Sequence, residues 1–288
     1  MEKIRIKDTE LNVFMKGEGL PVLFVHGFPF DHRLFLPICD RLSEVCQCIV
    51  PDLRGFGGSE LSDEISVCTM ERYAEDLAEL LDALGIKREI FLCGLSMGGY
   101  IAMEFARKYE DRLARLILCS TRTDPDTEEE KAKRLHLAET VGTTGMGPIA
   151  DSMIPNLLCA KTREFSPSTV DYVREMIVSQ NPKGVAAAAR GMAQRKDTTE
   201  LLKTMKPSLL FISGQEDRIT SPERMCKLAK IVPDAGFFTV EDCAHLGPLE
   251  FPLIFGDVIR FSVFVHDLLR QDMYTGFPIV FSRNFGLF

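Results

Sequence analysis

The sequence lacks an apolar run long enough to span a bilayer, which takes about 20 consecutive apolar residues. Its start, MEKIRIKDTE, is charged and has no apolar h-region of the kind found in secretory signal peptides. Positive charge is also scarce, because 34 Lys and Arg stand against 42 Asp and Glu, a formal net charge of −8. Such a field repels nucleic acid and anionic membranes. The sequence therefore predicts a protein that has neither nucleic acid nor membrane as a partner.

Paired cysteines and metal-ligand clusters are missing as well. The nine cysteines are an odd number, and most lie in apolar runs, where a free thiol behaves as a small hydrophobe. The C-x-C of Cys46 and Cys48 has no histidine or second cysteine pair at ligand spacing, so we interpret both as buried strand residues. We therefore expect no disulfide framework, no metal and no organic cofactor, and a cytoplasmic location.

Short apolar runs and helical patterns alternate along the chain. A hairpin pattern opens the sequence, and helical patterns cover 32–43, 70–85, 97–109 and the stretch near 222–231. Short connections between buried strands and helices call for an α/β fold with a mostly parallel central sheet flanked by helices. The predicted buried strands are PVLFVHG (21–27), VCQCIVPD (45–52), EIFLCG (89–94), RLILCS (115–120), SLLFISG (208–214) and GFFTVED (236–242).

This alternation stops after the sixth strand. Residues 122–197 contain charge-rich helical segments and no strand, and the pairs Glu129–Lys133 and Glu130–Arg134 stand one turn apart, as on an exposed helix face. We predict a core formed by 1–121 and 198–270, a helical cap formed by 122–197, and an extra C-terminal tail, 271–288.

Gly94-Leu95-Ser96-Met97-Gly98 matches G-x-S-x-G between a predicted strand and a predicted helix. In that setting the motif forms a strained turn that exposes the serine hydroxyl as a nucleophile. A phosphate-binding loop is disfavoured, because the lysine of G-x-x-x-x-G-K-[ST] is absent. A simple packing turn explains the glycines but not a base and an acid arriving at the same sheet edge. Ser96 is therefore the predicted nucleophile.

A serine nucleophile needs a base within hydrogen-bond reach. Of the five histidines, His245 follows the last predicted strand, at the edge of the sheet where Ser96 also emerges. We predict that His245 is this base. The others are assigned to turns, helices or the surface: His26 as a structural residue of the turn HGFPF, His32 at a helix start, and His136 and His266 on helix surfaces.

The base in turn needs an acid that holds its tautomer. Asp217 follows the strand 208–214, and so lies at the carboxyl edge of the sheet, where ligands bind in open α/β folds. It is the predicted acid. Competing carboxylates follow neighbouring strands or lie near the base in sequence: Asp124, Asp126, Glu216 and Asp242, of which Asp242 is too close to His245 along the chain to orient it easily.

Attack on a carbonyl creates an oxyanion, which preorganised N–H groups stabilise. The backbone N–H of Met97, at the start of a helix, is one predicted donor. The backbone N–H of Phe28 is the other, because Gly27 lets the chain turn back over the serine.

Five motifs follow one another along the chain: HGFP (26–29), DLRGFGGS (52–59), GLSMGG (94–99), GQEDRITSP (214–222) and AHLGPLEFP (244–252). On these motifs the sequence resembles the α/β-hydrolase superfamily over about residues 3–270. The resemblance implies the fold of that superfamily, a triad of Ser96, Asp217 and His245, and oxyanion donors at Phe28 and Met97. Ala244 replaces the usual glycine before the base, and the tail from Gln271 continues beyond the usual end.

Within the superfamily, GLSMGG, NPKG (181–184) and RGMAQRKDTTELL (190–202) are similar to oxoadipate enol-lactonases and small carboxylesterases. Serine at position 96, on the strained turn that carries the nucleophile, argues against haloalkane dehalogenases and epoxide hydrolases, which have aspartate there. The resemblance implies hydrolysis of a small ester or lactone through an acyl-enzyme, by a monomer or homodimer. Alternatives are a ligand receptor or regulator with a slow or vestigial triad, and a C–C bond hydrolase with the same triad. Some apolar cap side chains would either line an acyl pocket or pack the cap onto the core: Met153, Ile154, Leu157 and Leu158.

Overall fold

A computed structural model describes residues 1–270, with the side chains of residues 1–266. The predicted tail, 271–288, lies outside the described residues. Within them one sheet of eight strands has the order β1-β2-β4-β3-β5-β6-β7-β8. The strands are β1 (Glu2–Arg5), β2 (Glu10–Lys16), β3 (Leu20–Val25), β4 (Cys46–Pro51), β5 (Ile90–Leu95), β6 (Leu113–Cys119), β7 (Ser208–Gly214) and β8 (Gly236–Val240).

The β1–β2 and β2–β4 pairs are antiparallel, and every pair from β4 to β8 is parallel. Every residue of β3 and β5 is buried, as expected of strands that are covered by helices on both faces. The terminal strand β1 is mostly exposed, and β2 alternates between inner and outer faces. The mostly parallel sheet that the sequence predicts is confirmed.

The described residues contain twelve α-helices, which flank the sheet or lie between β6 and β7. They are α1 (Leu36–Leu42), α2 (Met70–Ala83), α3 (Met97–Tyr109), α4 (Glu128–Thr144), α5 (Gly147–Leu157), α6 (Ala160–Phe165), α7 (Pro167–Val178), α8 (Pro182–Met192), α9 (Thr199–Thr204), α10 (Pro222–Ile231), α11 (Gly247–Glu250) and α12 (Pro252–Arg270). Among them no helix combines the length and the apolar character that a membrane crossing requires.

The segment between β6 and β7 is helical throughout its regular structure, and its first helix starts with a capping box. Thr127 accepts the backbone N–H of Glu130, and the Glu130 side chain accepts that of Thr127, so two otherwise unpaired donors are satisfied. The segment between β6 and β7, called the cap below, also bonds to the rest of the molecule. The Gln180 side chain donates to Asp31 at 2.8 Å and accepts the N–H of Gly57 at 2.9 Å.

A buried carboxylate joins the two ends of the cap. Asp126 is fully buried and accepts hydrogen bonds from Arg122 and Arg195, at 2.6 Å each, and from Arg134. The one-turn spacing of Glu129 and Lys133 predicts an exposed helix face, and both residues are exposed there and form an ion pair at 2.6 Å. Glu130 and Arg134 are half-buried and do not pair with each other: Glu130 pairs with Arg122, and Arg134 with Asp126.

Candidate active site

Five adjacent parallel strands end at one edge of the sheet, and the segment after each of them contributes to the candidate site. In spatial order these strands are β3, β5, β6, β7 and β8. The residues that follow them are Gly27 and Phe28, Ser96, Ser120, Asp217, and His245. The predicted nucleophile, base and acid therefore follow strands that end at the same edge of the sheet, with β6 between the strand before Ser96 and the strands before Asp217 and His245.

Ser96 occupies the sharp turn between β5 and α3. Its backbone has φ 55° and ψ −114°, a conformation that non-glycine residues rarely adopt. From residue 90 to residue 106 it is the only residue that is not buried. The turn is held by the Ser96 N–H, which donates to Cys119 O at 2.9 Å, and by the Thr121 hydroxyl, which donates to Ser96 O at 2.8 Å. The serine hydroxyl is thus attached to a rigid, strained and partly exposed turn.

The predicted base and acid are in direct contact. Nδ1 of His245 lies 2.9 Å from Oδ2 of Asp217, and both side chains are buried. Because an ionised carboxylate only accepts hydrogen bonds, Nδ1 carries the proton, and Nε2 is left free to accept one. Asp217 Oδ1 accepts the backbone N–H groups of Ile219 and Thr220 at 2.9 Å each. These bonds fix the carboxylate, and through it the tautomer of the histidine.

The environment of Asp217 keeps its carboxylate ionised. Burial raises the pKa of Asp217, but the charge and hydrogen bond of His245, the N–H of Thr220 and the hydroxyl of Ser120 outweigh burial, so the net pKa is lowered. Ser120 was not singled out from the sequence. It directly follows β6 and has a φ of 45°. The argument that located Asp217, namely that residues just after parallel strands lie at the carboxyl edge of the sheet, applies to Ser120 as well.

Three of the four competing carboxylates have other partners. Asp126 is the buried hub of the cap arginines, and Asp124 pairs with Arg224. Asp242 is exposed and pairs with Lys161 at 2.8 Å. Among the carboxylates of the described residues, only that of Asp217 bonds to the His245 ring.

The loop after β3 lies against the Ser96 turn between β5 and α3. A Cβ built on Gly27 would be 3.1 Å from Leu95 O and 3.3 Å from the Cβ of Ser96, so a larger residue here would require these neighbours to shift by a few tenths of an ångström. In residues 1–270, no hydrogen bond joins the backbone N–H of Phe28 or of Met97 to another backbone group. Two N–H groups flanking the serine are therefore available to an acceptor.

The remaining histidines have other surroundings. His26 is fully buried; its Nε2 accepts the N–H of Leu53 at 3.0 Å, and burial lowers its pKa, so it is a neutral structural residue, as predicted. His136 is exposed, also as predicted. His266 is half-buried and its ring packs edge-on against the buried Phe91, with centroids 5.0 Å apart, so its surface assignment holds only in part.

One group of possible metal ligands lies near this edge, formed by Asp31, His32 and Asp52. Asp52 already accepts hydrogen bonds from Nδ1 and the backbone N–H of His32, at 2.7 and 2.8 Å, and from Asn12 at 2.7 Å. Asp31 in turn accepts from Arg33 and Gln180. Because these bonds occupy the carboxylate oxygens, the group is a loop-bracing network and a poor ligand set.

The apolar cap residues mainly pack. Ile154, Leu157 and Leu158 are buried and belong to the hydrophobic core, while Met153 is half-buried against it.

An open cleft of about 450 Å³ lies elsewhere, between α1, α7 and α11. Its lining includes Leu36, Tyr172 and Leu249 but not Ser96.

Comparison with known proteins gives consistent matches. A family model for the alpha/beta hydrolase fold matches residues 21–252. The structure is similar to a thermophilic esterase from Thermogutta terrifontis with malate bound, at TM-score 0.88 and 44% identity, covering 94% of this chain and 98% of that one. The sequence is 26% identical to 3-oxoadipate enol-lactonase 1 of Acinetobacter baylyi over 90% of this chain and 94% of that protein. A shorter match, 35% identical over 114 residues, spans 39% of this chain and 36% of a cis-3-alkyl-4-alkyloxetan-2-one decarboxylase from Shewanella oneidensis.

Proposed function

Because the chain belongs to the α/β-hydrolase family, we propose that it cleaves a small ester or lactone through an acyl-enzyme on Ser96. Its relatives include esterases and an enol-lactonase, and the chain is an esterase- or lactonase-like hydrolase. The observation that carries the triad is the hydrogen bond of 2.9 Å between His245 and Asp217, at the sheet edge where the strained Ser96 turn also lies.

In the proposed reaction, the free Nε2 of His245 accepts the Ser96 proton as Oγ attacks the carbonyl carbon of the substrate. Asp217 stabilises the imidazolium that forms, and its lowered pKa keeps it ionised for this purpose. The carbonyl oxygen becomes an oxyanion, which accepts the N–H groups of Phe28 and Met97. The Met97 N–H lies at the start of α3, where the helix dipole also favours negative charge.

Collapse of the tetrahedral intermediate breaks the carbon–oxygen bond, and His245 gives its proton to the leaving oxygen. With an ester, an alcohol departs; with a lactone, the new hydroxyl stays on the acyl group. His245 then takes a proton from water, which attacks the acyl carbon and forms a second tetrahedral intermediate. Its collapse breaks the bond between the acyl carbon and Ser96 Oγ, His245 returns the proton to Oγ, and the carboxylic acid is released. Each step needs one proton acceptor and the same two oxyanion donors, so no further group is required.

Two relatives support a small substrate. The esterase from Thermogutta terrifontis holds malate, a short dicarboxylate, and the Acinetobacter protein is named for an enol-lactone. Burial of Ile154, Leu157 and Leu158 in the core also leaves less apolar lining in the cap for a long acyl chain.

Turnover of short p-nitrophenyl esters and of simple lactones tests this proposal, with Ser96→Ala as the variant. We expect Ser96→Ala to lose activity by about 10⁶-fold, since triad members act as a unit. The matched control is Ser152→Ala, an exposed serine on α5, which should keep full activity. A fluorophosphonate should modify Ser96 in the wild type. Full turnover by Ser96→Ala, or ligand-dependent partner binding by a wild type without turnover, would exclude the proposed function.

A further inference from the structure

The loop that contains His245 is bonded to the cap as well as to the core. We define the base loop as residues 241–246 and the cap junction as residues 157–159, between α5 and α6. The backbone N–H of His245 donates to Leu157 O at 3.1 Å. The main chain of the predicted base is therefore anchored directly on the cap junction.

One carboxylate strengthens this connection from both sides. Oε1 of Glu250 accepts the backbone N–H of Ala244 at 2.7 Å, and Oε2 accepts the backbone N–H of Cys159 at 2.7 Å. Both bonds are short and have a charged acceptor, which makes them roughly twice as strong as neutral ones. Glu250 thus joins the residue before the base to the last residue of the cap junction.

Glu250 has a further hydrogen-bond partner, the Cys243 thiol, which donates to Oε1 at the longer distance of 3.7 Å. Among the side chains of residues 1–266, no Lys or Arg forms an ion pair with its carboxylate within 4.0 Å. Its neighbours Cys159 and Cys243 are buried, and burial followed by the charge of Glu250 raises the pKa of the Cys243 thiol. Because these thiols stay protonated, the negative charge of Glu250 is satisfied mainly by the two backbone N–H groups.

We infer that Glu250 is a positioning residue that couples the cap to the base, so that the cap junction sets the position of the His245 imidazole. The inference rests on the proposed function for the role of His245. It adds that the two halves of the molecule share one carboxylate, whose oxygens hold Ala244 and Cys159 in a fixed relation. A shift of the cap junction should therefore move the base.

A second contact at the same place supplies the control. Lys161 and Asp242 form an ion pair of 2.8 Å between α6 and the base loop, with side chains 65% and 53% exposed. Exposed pairs of this kind contribute little to stability, typically about 0–1 kcal/mol. Lys161→Ala removes a contact between the cap and the base loop but leaves the Glu250 carboxylate in place. It should therefore change neither the kinetic constants nor the hydrogen-exchange rates of the backbone amides.

The first test replaces the carboxylate. In Glu250→Gln one oxygen becomes an NH₂ donor, so the side chain can accept from Ala244 or from Cys159 but not from both. We expect kcat and kcat/KM to fall together by about 10–100-fold at a nearly constant KM, as for an interaction realised in the transition state. Glu250→Asp keeps the charge but is shorter by one CH₂, so it should recover only part of the loss. An unchanged kcat in Glu250→Gln would overturn the inference.

The second test removes only the cap-side donor. Cys159 has φ −64°, which proline adopts, and Leu158 before it is extended, as a residue before proline must be. Cys159→Pro therefore deletes the N–H that donates to Glu250 with little backbone strain. Cys159→Ala loses the thiol but keeps this N–H, so it is the matched control. We expect Cys159→Pro to lower kcat as Glu250→Gln does, and Cys159→Ala to stay near wild type. Equal kcat values for the two variants would contradict the coupling.

Hydrogen exchange separates this inference from the proposed function. In Glu250→Gln, amides of both the base loop and the cap junction should exchange faster, by at least about 10-fold, whereas in Lys161→Ala neither should change. Faster exchange on one side alone would overturn the coupling, whatever the fate of the activity. Loss of the proposed function is reported independently, by retained turnover in Ser96→Ala.

Discussion

Gly98 lies directly against the carbonyl oxygen of Val25, so closely that a Cβ on Gly98 would collide with this backbone atom. The contact brings the first turn of α3 onto the end of β3 and thereby sets the distance between the Ser96 turn and the Phe28 loop. Because the colliding atom belongs to the backbone of a buried strand, it cannot move aside as a flexible side chain would.

We expect Gly98→Ala to lower the free energy of unfolding by about 1–3 kcal/mol or more, as overpacking does. It should also reduce kcat, because the two oxyanion donors are forced apart. Denaturant unfolding and ester kinetics measure the two effects. Gly142→Ala in α4 is the control, since no atom lies within 4 Å of its added Cβ, and there alanine should stabilise by up to about 1 kcal/mol. Wild-type stability and kcat in Gly98→Ala would refute the close-contact interpretation.

Asp217→Asn should cost about 10⁴-fold in kcat while changing the fold little. If the new NH₂ group faces His245, Nδ1 must accept, and the proton moves to Nε2, where it blocks transfer from Ser96. Ester turnover measures the loss, and circular dichroism checks the fold. Asp124→Asn alters a competing carboxylate that pairs with Arg224, and it should keep kcat within about 3-fold. A larger loss in Asp124→Asn than in Asp217→Asn would move the acid role.

Ser120→Ala should reduce kcat by about 10-fold, because the hydrogen bond from this hydroxyl to the ionised Asp217 carboxylate is lost. Since this bond helps to lower the pKa of Asp217, its loss raises that pKa. The lowest part of the acid limb of the activity profile, where Asp217 becomes protonated, should then move to higher pH, as measured by kcat/KM against pH. Ser213→Ala removes another buried hydroxyl near the end of β7, which bonds to Gly214 instead, and should leave the profile unchanged. An unshifted acid limb in Ser120→Ala would remove Ser120 from the site.

The cap network should make stability depend on acid pH. Burial raises the pKa of Asp126, but the arginines around it, Arg134 foremost, lower it from 3.8 to about 2. A depressed pKa means that the stabilisation, about 2 kcal/mol, is complete above the ordinary Asp range and disappears as pH falls through about 2. Asp126→Asn should abolish this contribution and destabilise the protein at pH 7, because the arginines lose their counter-charge.

Urea unfolding at pH 7 and near pH 2 measures this difference. Asp151→Asn is the control, since Asp151 forms an exposed pair with Arg174 and should change the unfolding free energy by less than about 1 kcal/mol. If Asp126→Asn were as stable as the wild type at pH 7, the network would not hold the cap.

The sheet and the positions of Ser96, Asp217 and His245 at its edge could be predicted because each depends on a local signal. A short apolar run marks a buried strand wherever it occurs, and parallel strands end at the same edge, so residues far apart in sequence become neighbours. The contact between Asp217 and His245 follows from this convergence.

The contacts that hold the site could not be predicted in this way. The hydrogen bond between the Cys159 N–H and Glu250 joins residues 91 positions apart, and no periodic pattern in the sequence indicates it. Glu130 and Arg134 have the spacing of a helix pair, yet each finds a stronger partner from another segment. Side chains choose among partners in three dimensions, whereas spacing along the chain reports only one of the available choices.

The strand before His245 is the last of the sheet. In the described residues β8 pairs only with β7, and four of its five residues are half-buried or exposed. Such a margin can fray at a lower free-energy cost than the interior strands. Local separation of β8 from β7 would displace His245, the proposed proton acceptor, while β3, β5 and β6 stayed paired. Thermal inactivation should then begin below the temperature at which the bulk of the helices melts, and should be reversible by cooling.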